Sequence, residues 1–221
     1  MNMEQKLFSI ITPTYNCGPK VVRTINSVLS QASSLFEYIV IDGDSSDGTQ
    51  SEVEPFNTHI NFVSEPDLGV YDAMNKGIEM ARGKYIYFLG AGDTLRANAL
   101  RNLAGLMPDG ELAFIYGNVY WVDEAFIYGG EFNKSRLETY NICHQAIFYE
   151  RAIFDVIGRY ELDYPILADY VFNIKCFGND KIQKTYLDYV VANFEGGGQS
   201  ARQKDSALIK DLPRLIEEYL R

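Results

Sequence analysis

The sequence predicts an α/β fold: a mostly parallel sheet flanked by helices, followed by a smaller mixed or antiparallel portion. Three observations predict it. Strand and helix signals alternate over the first 95 residues with short links between them. Polar clusters follow the ends of those strands: Thr12–Asn16, Asp42–Asp47, Glu65–Asp67 and Asp93. In parallel sheets ligands bind outside the carboxyl ends of the strands, so the same clusters point to a site. The second half changes character, with Tyr- and Phe-rich strands gathered around a turn.

Leu7 to Ile11 is a short apolar run that ends in Thr12-Pro13-Thr14. A helix follows from Pro19, a residue suited to a first turn. Val21, Val22, Ile25, Val28 and Leu29 fall on one stripe of it at helical period. Phe36 to Ile41 reads as a second buried strand and runs into Asp42–Thr49, which is turn chemistry throughout. A short helix through Val53 leads to a third strand, Ile60 to Val63. Glu65-Pro66-Asp67-Leu68-Gly69 breaks the chain, and the next helix aligns Val70, Ala73, Met74, Gly77, Ile78 and Ala81. Lys84 to Leu89 is a fourth strand, ending in Gly90-Ala91-Gly92-Asp93 and completing a Rossmann-like half. Beyond it, Ala113 to Val122 and Phe126 to Phe132 read as strands around a turn, and Ala146 to Tyr149 as another. Ala168 to Phe177 reads as a helix, Tyr186 to Phe194 as a final strand and Gly196–Gly198 as a hinge. Lys204 to Arg221 reads as a helix interrupted near Pro213, with Leu212, Leu215, Ile216 and Tyr219 on one face. With no repeat and no long linker, one domain over 1–221 is expected: halves at 1–95 and 96–203, then a tail at 204–221.

The 221 residues carry 30 acidic and 20 basic side chains, a formal charge of −10. That balance excludes a bulk nucleic-acid binder, which needs a basic face, and disfavours adhesion to anionic lipid. Cys17, Cys143 and Cys176 make no disulfide framework, so a reducing cytoplasm is the expected home. Two histidines, His59 and His144, are too sparse for a zinc cluster. The start, with Glu4 and Lys6 before a short apolar run, lacks the shape of a secretory signal. Apolar runs such as Tyr85–Leu89 fall far short of the roughly 20 residues that span a bilayer. Tyr is abundant, 16 against a single Trp, so some rings are expected to line a site.

Carboxylates at strand ends suit Mg²⁺ or Mn²⁺, and such an ion would hold a diphosphate. Asp42 and Asp93 stand at the ends themselves, whereas Asp47, before Gly48-Thr49, reads as a turn or helix cap. No GxxxxGK[ST] and no GxGxxG follows the first strand, against a P-loop NTPase and a dinucleotide oxidoreductase. Thr12–Asn16 stands there instead. Pro13 stiffens an extended loop, and Tyr15 offers a ring for a base and a hydroxyl for a ribose or phosphate.

Ser9-Ile10-Ile11-Thr12-Pro13-Thr14-Tyr15-Asn16 resembles the opening of family 2 glycosyltransferases, and Ile39–Thr49 resembles their second-strand signature. Ser64–Gly77 and Gly83–Leu89 continue the resemblance in order, densely over about the first 95 residues and more thinly beyond. The resemblance implies a GT-A fold, a nucleotide-sugar donor, a divalent metal (Mn²⁺ or Mg²⁺) and inversion at the anomeric carbon. It places Thr12, Pro13, Tyr15 and Asp42 at the nucleoside, with Asp67 and Asn75 beside the nucleotide. Asp93, preceded by Gly92, matches the last acid of the family's DxD-type motif and would hold the metal. The chain departs from the pattern at Gly90, Ala91 and Gly92, where acids are usual, and at Met74, where many members have Arg. Lys76 is the substitute cation for a phosphate. Asp169, in Leu167-Ala168-Asp169-Tyr170, fits the position of the base that deprotonates the acceptor. His144 and Gln145 fall in the region that lines the donor-sugar and acceptor pocket in relatives, and Gly197–Ser200 would be a lid.

The expected function is therefore transfer of a sugar from a nucleotide sugar, most simply UDP-linked, to an acceptor hydroxyl. The resemblance suggests a lipid-linked saccharide of a bacterial surface polysaccharide as acceptor. Peripheral contact with the inner face of a membrane, through the acceptor or the Leu212–Tyr219 face, and a homodimer are the further partners it admits. Two other readings compete: a sugar nucleotidylyltransferase, and a non-catalytic nucleotide-sugar-binding protein.

Overall fold

The computed structural model describes residues 5–108, 110, 112–198 and 203–221, so Glu4 lies outside the described residues. The first half runs β1 (Phe8–Thr14), α1 (Lys20–Leu29), β2 (Phe36–Asp42), α2 (Thr49–Val53), β3 (Asn61–Ser64), α3 (Val70–Met80) and β4 (Tyr85–Phe88). The second runs β5 (Thr94–Leu95), α4 (Ala99–Ala104), β6 (Ala113–Trp121), β7 (Phe126–Tyr128), α5 (Lys134–Leu137), β8 (Ile147–Glu150), α6 (Ile153–Val156), α7 (Ala168–Gly178), β9 (Gln183–Phe194) and α8 (Ser206–Tyr219). Among the described residues no helix is long and apolar enough to cross a membrane.

All described strands join one sheet in the order β3-β2-β1-β4-β8-β6-β9-β5, with β7 pairing β6. β3, β2, β1 and β4 are parallel neighbours, whereas β8 is antiparallel to both β4 and β6. Every residue of β1 is buried, because helices cover both faces of the sheet. Phe8, Ile10, Tyr38 and Val40 meet Val21 and Ile25 of α1 and Leu100 of α4 on one side. Ile11, Ile39, Ile41 and Phe88 meet Met74 and Ile78 of α3 and Ile174 of α7 on the other.

The structure corrects several boundaries. β1 extends through Thr12–Thr14, which pair with Val40–Asp42, where a loop was expected. Pro13 is tolerated because β1–β4 pairing stops at Ile11 and Phe88, leaving one edge of β1 open beyond them. The strand expected to reach Phe132 stops at Tyr128, because Gly129 and Gly130 both adopt positive φ. β5, α4, α5 and α6 span two to six residues each, too short to leave a periodic signal.

α8 is continuous across Pro213. Pro213 is exposed, and the carbonyl it deprives of a partner belongs to Ile209, which is exposed as well. Asp205 caps the helix by accepting the Leu208 N–H at 3.0 Å. Leu208, Leu215 and Leu220 are buried, and Leu212, Ile216 and Tyr219 pack against the same core. That face is therefore occupied within the molecule, against the core.

Candidate active site

A cleft of about 990 Å³ opens at the carboxyl ends of the parallel strands. Its first-half wall comes from the segments that follow β1, β2, β3 and β4: Pro13–Tyr15, Gly43–Asp44, Pro66–Asp67 and Gly90–Asp93. Its second-half wall comes from β6, β7, the Asn141–Gln145 segment, the start of α7 and the end of β9. Among the described residues five carboxylates line it (Asp44, Asp67, Asp93, Asp169 and Glu195) against one lysine, Lys20.

Asp42, the last residue of β2, knots the first wall. Its Oδ1 accepts from the Thr14 hydroxyl at 2.9 Å and from the Ser45 hydroxyl at 2.5 Å. Its Oδ2 accepts from the Ser45 N–H at 2.9 Å and from the Ser64 hydroxyl at 2.7 Å. The ends of β1, β2 and β3 are thereby tied to one carboxylate. Burial opposes its charge, but these four bonds outweigh burial and hold the carboxyl below its ordinary value. Asp67 rests where only a glycine at position 43 permits it, since a Cβ there would stand 2.5 Å from Asp67 Oδ2. Burial pushes the Asp67 carboxyl up, partly offset by the Gly69 N–H that it accepts at 2.9 Å.

The Gly90–Asp93 loop is fixed from α1. Thr24 Oγ1 donates to the Asp93 carbonyl at 2.8 Å and accepts from the Gly92 N–H at 2.8 Å, and Arg23 donates to the Gly92 carbonyl at 2.7 Å. Arg23 also pairs with Glu195. The Asp93 side chain is 6% exposed. It accepts from Gln145 Nε2 at 2.6 Å and from the Glu195 N–H at 3.0 Å. Burial nonetheless raises its pKa, so its anion is underpaid by the protein and suits a cation. Among the described residues no three His, Cys, Asp or Glu side chains gather to hold an ion. Mg²⁺ and Mn²⁺ are commonly held by one or two carboxylates, with substrate phosphates and water completing the shell. Asp93, with a lone pair left on each oxygen, fits that arrangement.

Asp169 stands in the first turn of α7 and is 4% exposed. Oδ1 accepts from the Tyr71 hydroxyl at 2.8 Å and the Tyr170 N–H at 2.9 Å, and Oδ2 from Asn141 Nδ2 at 3.1 Å. The helix N-terminus favours its charge. His144 Nδ1 lies 3.6 Å from Oδ2, and His144 Nε2 is buried without a hydrogen-bond partner. Gln145 bridges inward, accepting from Cys143 Sγ while it donates to Asp93.

Of the residues expected at the site, Pro13, Tyr15, Asp67, Asp93, His144, Gln145 and Asp169 line the cleft. Tyr15 is 64% exposed, a rim ring rather than a core one. Five others lie off the wall. The Thr12 hydroxyl is buried against the Tyr38 hydroxyl at 3.0 Å. Asp42 is spent on the knot above. Asn75 clamps the Tyr160 backbone, donating to its carbonyl at 2.9 Å and accepting its N–H at 3.0 Å. Lys76 donates to the Pro66 carbonyl at 2.7 Å and pairs with Glu65. Gly92 turns its backbone toward α1. Of the expected lid, Gly197 and Gly198 line the cleft, and Gln199 and Ser200 lie outside the described residues.

Sequence reasoning missed Lys20, Tyr71, Trp121, Asn141 and Glu195. Only Tyr71 and Glu195 had a signal, the first inside the Ser64–Gly77 signature and the second beside the Gly196–Gly198 hinge.

Comparison with known proteins agrees with this geometry. The family described as Glycosyl transferase family 2 matches residues 9–157. A Mycobacterium tuberculosis protein named PGL/p-HBAD biosynthesis glycosyltransferase is 39% identical over 219 residues, covering 96% of this chain and 86% of its own. Escherichia coli WfgD, named a UDP-Glc:alpha-D-GlcNAc-diphosphoundecaprenol beta-1,3-glucosyltransferase, is 34% identical over 63% of this chain and 55% of its own. Among solved structures, residues 1–349 of S. aureus TarS in complex with UDP-GlcNAc superpose with a TM-score of 0.74 at 19% identity, covering 95% of this chain and 65% of that one. This chain spans 38% of the longer TarS structure. Mannosyltransferase PcManGT from Pyrobaculum calidifontis, in complex with GDP-Man and Mn²⁺, gives 0.71 at 18% identity, over 98% of this chain and 70% of that one. The fold is GT-A, and with its signature residues spread over both walls of one cleft the chain belongs to glycosyl transferase family 2.

Proposed function

We propose that this glycosyltransferase moves a sugar from a UDP-sugar, with inversion, to a hydroxyl of a lipid-linked saccharide in surface polysaccharide synthesis. The observation that carries the reading is the convergence of Asp93, from the first half, and Asp169, from the second half, on one cleft. The donor's nucleoside rests on the first wall, with the Tyr15 ring on the base and Asp67 beside the ribose. The Asp42 knot acts here by holding the wall rather than by touching the base. Mn²⁺ or Mg²⁺, held by Asp93 and the donor phosphates, would offset charge on the leaving diphosphate. A cation suits the site for a simple reason: among the described residues the lining sets Lys20 against five carboxylates.

Asp169 takes the acceptor's proton as the acceptor oxygen bonds to the anomeric carbon. The bond from that carbon to the diphosphate breaks, and its electron pair leaves with the nucleoside diphosphate. Tyr71 and Asn141 hold the carboxylate in place for that step. Family membership removes the nucleotidylyltransferase reading. The donor assignment draws support from the TarS complex with UDP-GlcNAc, and the acceptor class from the name of WfgD. Calorimetric titration with UDP, GDP and dTDP, each with and without Mn²⁺, tests the reading. Mn²⁺-dependent heat with UDP is expected, and tighter binding of GDP or dTDP would overturn the donor assignment.

A further inference from the structure

The β6–β7 hairpin and the end of β9 carry an aromatic row that the chemistry above does not use. Phe126 pairs with Trp121 across β7 and β6, and Trp121 pairs with Phe194 across β6 and β9. Paired residues on neighbouring strands share a face, so three rings stand side by side across three strands. Ring centroids are 5.6 Å apart for Trp121–Phe126 and 5.2 Å apart for Trp121–Phe194. Tyr128 adds an edge contact to Trp121 at 6.4 Å. Trp121, Tyr128 and Phe194 line the cleft, and Phe126 continues the row outward at 43% exposure. Trp121 Nε1 is buried and has no hydrogen-bond partner among the described residues. Gly196 permits this packing, because a Cβ there would stand 2.6 Å from that nitrogen.

The row is also coupled to the candidate base. The Tyr128 hydroxyl donates to the Asn141 carbonyl at 2.5 Å, and the Asn141 side chain donates to Asp169 at 3.1 Å. Whatever lies on the rings is therefore held beside Asp169. We infer that the Phe126–Trp121–Phe194 row is the acceptor platform, and that it takes a glycoside whose apolar ring face lies on Trp121 while an apolar aglycone runs out over Phe126. Pyranose C–H faces and aryl groups both gain from such contact. The inference rests on the glycosyltransferase reading of the cleft and adds the acceptor's shape to it.

Trp121 is the single tryptophan of the chain, so its emission reports on the platform without interference. Phenyl β-D-glucopyranoside and methyl β-D-glucopyranoside are titrated against the full chain with UDP and Mn²⁺ present, and UDP binding is followed separately by calorimetry. Saturable change with the phenyl glycoside, at several-fold lower concentration than with the methyl one, is expected. Phe126→Ala, at an exposed position, raises the phenyl half-saturation about five-fold and leaves UDP heat unchanged. Unaltered emission with both glycosides in a protein that binds UDP overturns the platform. So does equal loss of glycoside and UDP binding in Phe126→Ala, which marks a structural role. A saturable phenyl response with no UDP heat removes the donor reading and leaves the platform standing.

Discussion

Two aspartates show how burial and bonding divide labour among like side chains. Asp169 keeps three protein donors yet borders the cleft. Asp169→Asn preserves its shape and removes its basicity. Turnover is expected to fall by about 10²-fold or more, with UDP binding unchanged by calorimetry, and turnover at the parent rate would exclude it as the base. Asp42 lies off the cleft lining, and its effect is expected on stability. Its depressed pKa means that its contribution is complete above the ordinary carboxylate range and is lost as pH falls through the lower, folded-state value. Asp42→Asn is accordingly expected to cost about 2 kcal/mol at pH 7. The gap to the parent narrows in thermal melts as the medium is acidified below about pH 4. A gap that is flat with pH would show that the Asp42 charge is not what matters.

Among the elements, α8 matters to the site although it never touches it. One oxygen of Asp205 caps α8, and the other accepts the N–H groups of Ile166 and Leu167 at 3.0 Å each, immediately before Asp169. A single carboxylate, 2% exposed, thus ties the starts of α7 and α8 together. Asp205→Ala is expected to lose about 2 kcal/mol, roughly 4 to 8 °C in Tm at this chain length, and to lower turnover with it. Asp205→Ser restores the cap for Leu208 but not both tasks, so it should recover Tm more than turnover. Equal recovery of both would show that the bonds to Ile166 and Leu167 do not position Asp169. Pro213 shows why the sequence misled at this element: a proline inside a helix reads as a break, yet at an exposed turn its lost bond falls on water-facing backbone.

Across the whole molecule, the first half was legible because its parallel strands are uniformly apolar and end in polar turns. Thr12, Asn75 and Lys76 lie off the cleft wall for a shared reason. A motif fixes which residues are present, but not whether a buried partner, here Tyr38, the Tyr160 backbone or the Pro66 carbonyl, has already claimed them. The aromatic row was invisible because it depends on register among three strands, and its members, Phe126, Trp121 and Phe194, come together only in the sheet.

Sheet order has a consequence in time. β4 gains its neighbour β8, and the short β5 finds its partner β9, only from late sequence. The bond from the Glu195 N–H to Asp93 closes a separation of 102 residues, and such closures carry the entropy of a long loop. As the chain leaves the ribosome from its N-terminus, the β1–β2–β3 wall with its Asp42 knot can assemble early. The Asp93 carboxylate acquires its setting only once Glu195 has emerged. The setting of Asp93 is thus completed no earlier than the second-half wall of the cleft.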